Sequence, residues 1–133
     1  MTSTEQQMTQ TKEVSVEEII PAHIQAQTKI RFFVLKWTEQ LVEKLQADYD
    51  RQYKSNSNPC RFEINTKGKK YYKIVEKNGG VHAFVNKQTG EVYKPASWKS
   101  PAKHVRYNLS IIEDRKRCFD NADWAGSYLY LRG

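Results

Sequence analysis

The hydrophobic pattern of this chain changes its period near residue 60, and this change constrains the fold more than any other feature. Before it, in "KIRFFVLKWTEQLVEKLQADYDRQY", apolar residues recur at intervals of three and four, which predicts one amphipathic helix of about six turns. The apolar stripe consists of Ile30, Phe33, Val34, Trp37, Leu41, Leu45 and Tyr49. We expect this stripe to pack against a sheet, and the less common alternative is a helix that recruits another protein.

Four short segments then alternate with a period of two, at residues 60–64, 69–77, 81–86 and 91–94. The breaks between them, "NTKG", "NGG" and "NKQTG", contain Asn and Gly, which tolerate the positive backbone angles of tight hairpins. This pattern predicts an antiparallel meander of three or four strands. Tyr72 and Ile74 should face the helix, together with Phe84 or with Val81, Ala83 and Val85 of the next strand.

The remainder of the chain predicts a short helical end. Pro95 and Pro101 interrupt regular structure. "SIIE", which begins at Ser110, has the form of a capping box before a helix of about three turns, and "SYLYLR" alternates as a final strand does. We therefore expect an α+β fold: a long amphipathic helix packed on a 3–4-stranded antiparallel meander, followed by a short C-terminal helix.

The first residues are polar and lack an apolar run. Residues 1–14 are predicted to be a flexible polar tail, and residues 15–133 a single α+β domain in which "SVEE", from Ser15, forms a first capping box. We see neither a secretion signal nor an apolar stretch of transmembrane length. We expect an intracellular protein with no membrane partner, whose Cys60 and Cys118 stay reduced as packing residues.

The net charge of +7 is distributed unevenly. Residues 51–106 carry thirteen basic side chains against three acidic ones, whereas residues 1–50 carry five against eight and residues 107–133 carry four of each. A local charge of +10 concentrates polyanions near a surface, and nucleic acid is the polyanion most available inside a cell. The alternative is a solubilising surface with no specific ligand.

Aromatic side chains interleave with these basic residues on the predicted strands and on the proline-interrupted segment after them. Ammonium groups neutralise phosphates and aromatic rings stack on bases, so this composition favours nucleic-acid binding, either DNA or RNA. The predicted binding residues are Lys69, Lys70, Tyr71, Lys73, Lys87, Lys94, Trp98, Lys99, Lys103, His104 and Arg106. Lysine and tyrosine are also ordinary on a solvated sheet face, and the size of a tryptophan favours burial of Trp98 at the end of the core.

Enzymatic chemistry is not indicated. The three histidines, His23, His82 and His104, show no metal spacing with the cysteines, and no phosphate-binding or nucleophile motif is visible. We expect a non-enzymatic protein without a cofactor or metal, in which a solitary strand histidine is structural.

Two strings, "GGVHAFVNKQTGEVYKPASWKSPAKHVRYNL" and "ADWAGSYLYLR", resemble a family of small proteins encoded by tailed phages and other viruses of aquatic microbes. The resemblance covers about residues 69 to 132. The matching positions are Val81, His82, Ala83, Phe84, Val85, Thr89, Gly90, Tyr93, Lys94, Ala96, Ser97, Pro101, Ala102, Lys103, Arg106, Asn108, Trp124, Ala125, Gly126 and Tyr128. The resemblance implies a viral source and a role in infected cells or virions, and it implies no catalytic role.

Two functions therefore remain open. The preferred hypothesis is a basic protein that binds nucleic acid. The helix–sheet–helix order is similar to that of double-stranded RNA-binding domains, but the lysine cluster at the start of their last helix is absent here. The alternative is an interaction protein that docks on a host or virion protein through the helix stripe or the Trp98 segment.

Overall fold

The protein folds as one long helix, a five-stranded sheet and a short C-terminal helix. The computed structural model describes residues 21–53, 60–77 and 79–130. The elements are α1 (Ala22–Gln52), β1 (Phe62–Asn65), β2 (Tyr71–Glu76), β3 (Val81–Asn86), β4 (Glu91–Tyr93), β5 (Tyr107–Asn108) and α2 (Ile112–Asn121). The strands pair antiparallel in chain order. The predicted α+β fold is confirmed, with five strands instead of three or four; the polar tail and the first capping box lie outside the described residues.

The core lies between α1 and one face of the sheet. Val34, Leu41 and Leu45 are fully buried on the helix, and they belong to the same cluster as Ile74 and Val85 of the sheet. Ala83 and Val85 pair with Ile74 and Tyr72 across the β2–β3 ladder. Of the two alternatives for β3, Ala83 and Val85 therefore face the helix, and Phe84 lies on the opposite face of the sheet.

The N-terminal part of the helix is exposed. Residues 22–33 are exposed except for the half-buried Gln25, and burial begins at Val34. The prediction that Ile30 and Phe33 form part of the packed stripe was wrong, since their exposed fractions are 42% and 49%. Their spacing matches the stripe, but neither side chain belongs to the core cluster or packs against it.

The β3–β4 hairpin has the turn that its sequence predicts. The side-chain amide oxygen of Asn86 accepts hydrogen bonds from the backbone N–H groups of Gln88 and Thr89, and Gly90 closes the turn on the carbonyl of Asn86 with φ of 78°. A Cβ at Gly90 would also lie 2.6 Å from Oγ of Ser110. Glycine is thus required there for both conformation and space.

A β-bulge directs His82 into the core. Ile74 pairs with Ala83, but Val75 pairs with Val81, so His82 is the extra residue. Its ring packs edge-on to Phe62 at 5.5 Å, and its Nε2 lies 2.8 Å from the hydroxyl oxygen of Tyr128. The bulge interrupts the strand's alternation and makes His82 a core residue.

Two expectations for the C-terminal region are corrected. Ser110 does not cap α2, which begins after Ile111 without a side-chain cap. The Ser110 hydroxyl instead donates a hydrogen bond of 2.6 Å to the carbonyl of Thr89. Residues 127–129 form a 3-10 helix with Tyr128 and Leu129 buried, not the predicted strand. Packing against the core outweighs the local alternation of "SYLYLR".

One carboxylate attaches this C-terminal region to α1. Asp48 is buried, and its Oδ2 accepts a hydrogen bond of 3.0 Å from the backbone N–H of Trp124. The Trp124 ring packs edge-on to Tyr49 and Tyr53 at 5.2 and 5.4 Å. The last turns of α1 are therefore covered by a segment distant in sequence.

Both cysteines are free in this structure, with Cys60 half-buried and Cys118 buried. Burial raises the pKa of Cys118 to about 12, so its thiol stays protonated at neutral pH. Within the described residues, neither helix combines the length and apolar character needed to cross a membrane.

The burial of His82 predicts a specific loss of stability in weak acid. Burial lowers the pKa of its imidazole from 6.5 to about 4, against a smaller opposing effect of Asp123. Above pH 6.5 both folded and unfolded states carry neutral imidazole. As pH falls toward 4 the unfolded state binds the proton first, so the free energy of unfolding should fall by about 3 kcal/mol.

Urea denaturation between about pH 7.5 and pH 5 measures this effect. His82→Gln keeps a polar partner for Tyr128 but does not titrate, so the wild type should lose about 2 kcal/mol more than the variant by pH 5. Equal pH dependence in the two proteins would contradict a buried neutral His82.

Candidate nucleic-acid interface

The sheet face opposite α1 is formed by the residues that alternate with the core positions. Because Tyr72 and Ile74 face α1, Tyr71 and Lys73 point to the other side of β2. Across the ladder Lys73 pairs with Phe84, which in turn pairs with Tyr93. No helix of the described chain covers Phe84, yet it is only 1% exposed.

Side chains cover Phe84 in place of a second layer. The ring of Tyr71 packs edge-on to it at 5.7 Å, and Nζ of Lys73 lies 5.6 Å from its ring centroid. Tyr71 also packs edge-on to Tyr93 at 6.0 Å. Lysine stems and aromatic edges therefore protect this face while leaving polar groups toward solvent.

The loop of residues 94–102 folds back onto this face. Pro95 and Pro101 form an isolated bridge, and the backbone N–H of Ala102 donates to the carbonyl of Lys94 at 2.7 Å. Within the loop, the hydroxyl oxygens of Ser97 and Ser100 lie 3.1 Å apart. The prolines thus close a compact loop instead of continuing a strand.

Trp98 belongs to this loop, and the prediction that it closes the core was wrong. Its side chain is 53% exposed. Nζ of Lys73 lies 4.4 Å from the centroid of its ring. The bridged loop directs the ring over the outer sheet face and away from the core.

These elements surround one concave surface, which we call the lysine groove. Its volume is about 570 Å³. It is lined by Asn65, Lys67, Gly68, Lys69, Lys70, Tyr71, Lys73, Phe84 and Lys99. Five of these nine residues are lysines and none is acidic, so the β1–β2 turn and the proline loop bring their positive charges together.

The protein provides no carboxylate partner for these charges among the residues described. The three ion pairs found there, Lys36 with Glu39, Asp48 with Arg51 and Asp114 with Arg117, all lie within helices. Lys70 and Lys73 instead lie over aromatic rings, with Nζ of Lys70 5.4 Å from the Tyr71 centroid. Such cation–π contacts orient an ammonium group and leave its charge available.

Of the predicted binding residues, Lys69, Lys70, Tyr71, Lys73 and Lys99 meet in the groove, and Trp98 lies over Lys73. Lys87 does not join them. Its Nζ donates to the carbonyl of Thr66 at 2.7 Å and lies over Tyr72, the ring that faces α1. Burial, with a smaller effect of Arg31, lowers the pKa of Lys87.

The last predicted residues lie outside the groove as well. Arg106 donates to the backbone carbonyls of Leu129, Lys103 and His104, so its guanidinium holds the chain together. Lys94 lies over Tyr130 at 4.8 Å, and His104 adopts a positive φ of 73°.

Four groove residues were not among the predicted binding residues: Asn65, Lys67, Gly68 and Phe84. The segment "NTKG" predicts only a turn, and Phe84 was a candidate for the core. The distribution of acidic residues along the sequence does indicate the groove. Residues 64–75 and 92–112, which supply eight of the nine lining residues, contain no Asp or Glu. Segments that carry lysines but no Asp or Glu therefore indicate the groove residues better than the alternation of the strands does.

The fold and the groove define a small α+β protein with a basic, aromatic sheet face. The chain belongs to DUF7717, a family of unknown function, whose model matches residues 20–131. No curated protein and no solved structure shows significant similarity to it. In the described part of the chain, no group of three or more His, Cys, Asp or Glu side chains is arranged to hold a metal ion.

The different burial of two aromatic residues on this face predicts different effects on stability. Phe84→Ala should lower the free energy of unfolding by about 3 to 5 kcal/mol, because it empties a fully buried site. Trp98→Ala should cost less than about 1 kcal/mol, since it removes one exposed ring and its cation–π contact. Urea denaturation at neutral pH measures both values. Comparable losses for the two variants would show that Trp98 belongs to the core.

Proposed function

We propose that this protein is a non-enzymatic nucleic-acid-binding protein and that the lysine groove is its binding surface. The observation that carries the proposal is the convergence of five lysines with Tyr71 on one sheet face without an acidic lining residue. The lysines come from a turn, a strand and a loop, so their proximity results from the fold. A surface of this composition suits a phosphate backbone flanked by planar bases.

The side chains in the groove favour binding with little dependence on base sequence. All its described cations are lysines, and an ammonium group is a compact point charge without the bidentate geometry by which arginine recognises guanine. Such groups act mainly by displacing condensed counterions from phosphates. We propose that affinity comes from this electrostatic term.

The charge of the whole middle region supports the same function. Residues 51–106 carry a net charge of +10, which attracts polyanions before contact and accelerates association. The resemblance to phage-encoded proteins suggests where this occurs, in an infected cell or in the virion. A viral origin is part of the proposal.

Neutralising the groove should weaken binding more than neutralising the same number of lysines elsewhere. We compare Lys67→Gln, Lys69→Gln and Lys70→Gln together with a control that carries Lys36→Gln, Lys44→Gln and Lys116→Gln on exposed helix positions. Affinities for single- and double-stranded DNA and RNA are measured between about 50 and 200 mM salt. The groove variant should lose about two to three units of the log–log salt slope, since each phosphate contact contributes roughly 0.7 to 0.9.

Both triple variants have the same net charge, so long-range attraction alone would change equally in both. Equal losses of affinity would contradict a role of the groove. Absence of binding by the wild type at the lowest salt would contradict nucleic-acid binding altogether.

A second candidate function, docking on another protein, is supported by the exposed helix end, residues 22–33 of α1. Ile24, Ile30, Phe32 and Phe33 are between 42% and 54% exposed there. Residues 21–38 carry three basic side chains and no acidic one. We propose a partner protein whose surface combines apolar and acidic groups, in the host or in the virion, because that chemistry complements both features.

Phe32→Ser combined with Phe33→Ser tests this candidate without emptying the core. Both rings are exposed, so the free energy of unfolding should change by less than about 1 kcal/mol. A partner should be captured from nuclease-treated lysate by wild type and by the groove variant, lost with the double variant, and released by added salt. The same captured proteins with wild type and the double variant would contradict docking through this helix end.

A further inference from the structure

We infer that the lysine groove binds a single strand, with one base stacked on the ring of Trp98. This inference rests on the proposed function and adds to it the strandedness of the ligand and the residue that selects it. Three features carry it: the position of the Trp98 ring, the charges beside it and the geometry of a duplex.

The ring of Trp98 is held in place yet accessible. One face meets the ammonium of Lys73 at 4.4 Å, and the side chain is still 53% exposed. The Pro95–Pro101 bridge and the hydrogen bonds between Ser97 and Ser100 restrain the loop that carries it. An aromatic ring fixed before binding loses little conformational entropy when a base stacks on it.

The neighbouring lysines place phosphate contacts beside this ring. Lys99 follows Trp98 in the chain and lines the groove, and Lys73 lies under the ring and lines the groove as well. A nucleotide whose base lies on Trp98 would therefore have its flanking phosphates near two ammonium groups. Tyr71 is half-buried in the same groove, and its ring offers a second aromatic contact for the bound single strand.

A duplex cannot use the Trp98 ring in this way. Its bases are stacked on one another and present only their edges in the grooves. Reading those edges in the major groove takes an inserted helix or two-stranded ribbon, whereas the lysines here line a concave surface of about 570 Å³. A duplex would meet the outer lysines through its phosphates, and the ring would have no exposed base face to contact.

The test compares a single-stranded oligonucleotide of about twelve nucleotides with its own duplex, at low salt, for the full-length protein. Trp98→Ala removes the stacking surface, and Trp98→Phe keeps a ring. Tyr130→Ala is the matched control, because Tyr130 is 61% exposed and lies under the ammonium of Lys94 but does not line the groove.

Trp98→Ala should weaken single-strand binding by about 5- to 160-fold, the range given by stacking of one base, and should leave duplex binding within about threefold. Trp98→Phe should recover most of the loss, and Tyr130→Ala should behave as wild type. Quenching of tryptophan fluorescence by the single strand should be largely lost with Trp98→Ala, although Trp37 and Trp124 remain.

Equal effects of Trp98→Ala on single and double strands, or no effect on either, would overturn the inference while the lysine dependence keeps the proposed function. A wild-type protein that binds neither form would overturn both.

Discussion

The packing of α1 against the sheet is the contact on which the remaining structure depends. The long helix of the described residues covers one face of the sheet and leaves the other face without a helix. Val34, Leu41 and Leu45 lie fully buried against Ile74 and Val85, and the outer face must be protected by other means. Phe84 would otherwise expose a large ring there. The side chains of Tyr71 and Lys73 cover it, so the same residues that complete the fold also form the basic groove.

The basic residues of the middle region consequently have two different tasks. Arg106 and Lys87 donate to backbone carbonyls and hold chain segments together. Lys67, Lys69 and Lys70 lie on the exposed turn between β1 and β2. Composition treats all of these residues alike, since each contributes one charge. Only the topology separates the cations that hold the chain together from those that line the groove.

Features of the fold that depend on residues close in sequence were predictable, whereas features that depend on contacts distant in sequence were not. The helix from its periodicity, the hairpins from their Asn and Gly turns and the α+β class are local features, and all were predictable. The wrong expectations depend on distant contacts. Ser110 bonds to Thr89 across the hairpin and does not cap α2, and Tyr128 is drawn into the core beside His82.

The residues of the candidate site also divide into those predictable from local sequence and those placed by distant contacts. The basic and aromatic composition predicted five of the residues that line the groove, Lys69, Lys70, Tyr71, Lys73 and Lys99. It did not place Trp98, because burial is the general tendency of tryptophan and the Pro95–Pro101 bridge that redirects the loop is a tertiary feature. Lys67 was missed for a related reason, since a turn residue becomes a groove residue only when the strands pair.

The concentration of lysines in the groove has an electrostatic cost, and this cost supports the proposed function. Five ammonium groups around one concavity repel one another, and this repulsion opposes folding. Elsewhere in the described chain, Lys36 and the arginines Arg51 and Arg117 lie beside carboxylates. In the groove no lining carboxylate offsets the repulsion, so the compensating charge comes from solution. Small ions provide it diffusely, whereas a polyanion provides several charges at once and releases its own counterions. A phosphate chain in the groove would relieve this repulsion, and this balance supports the proposed function.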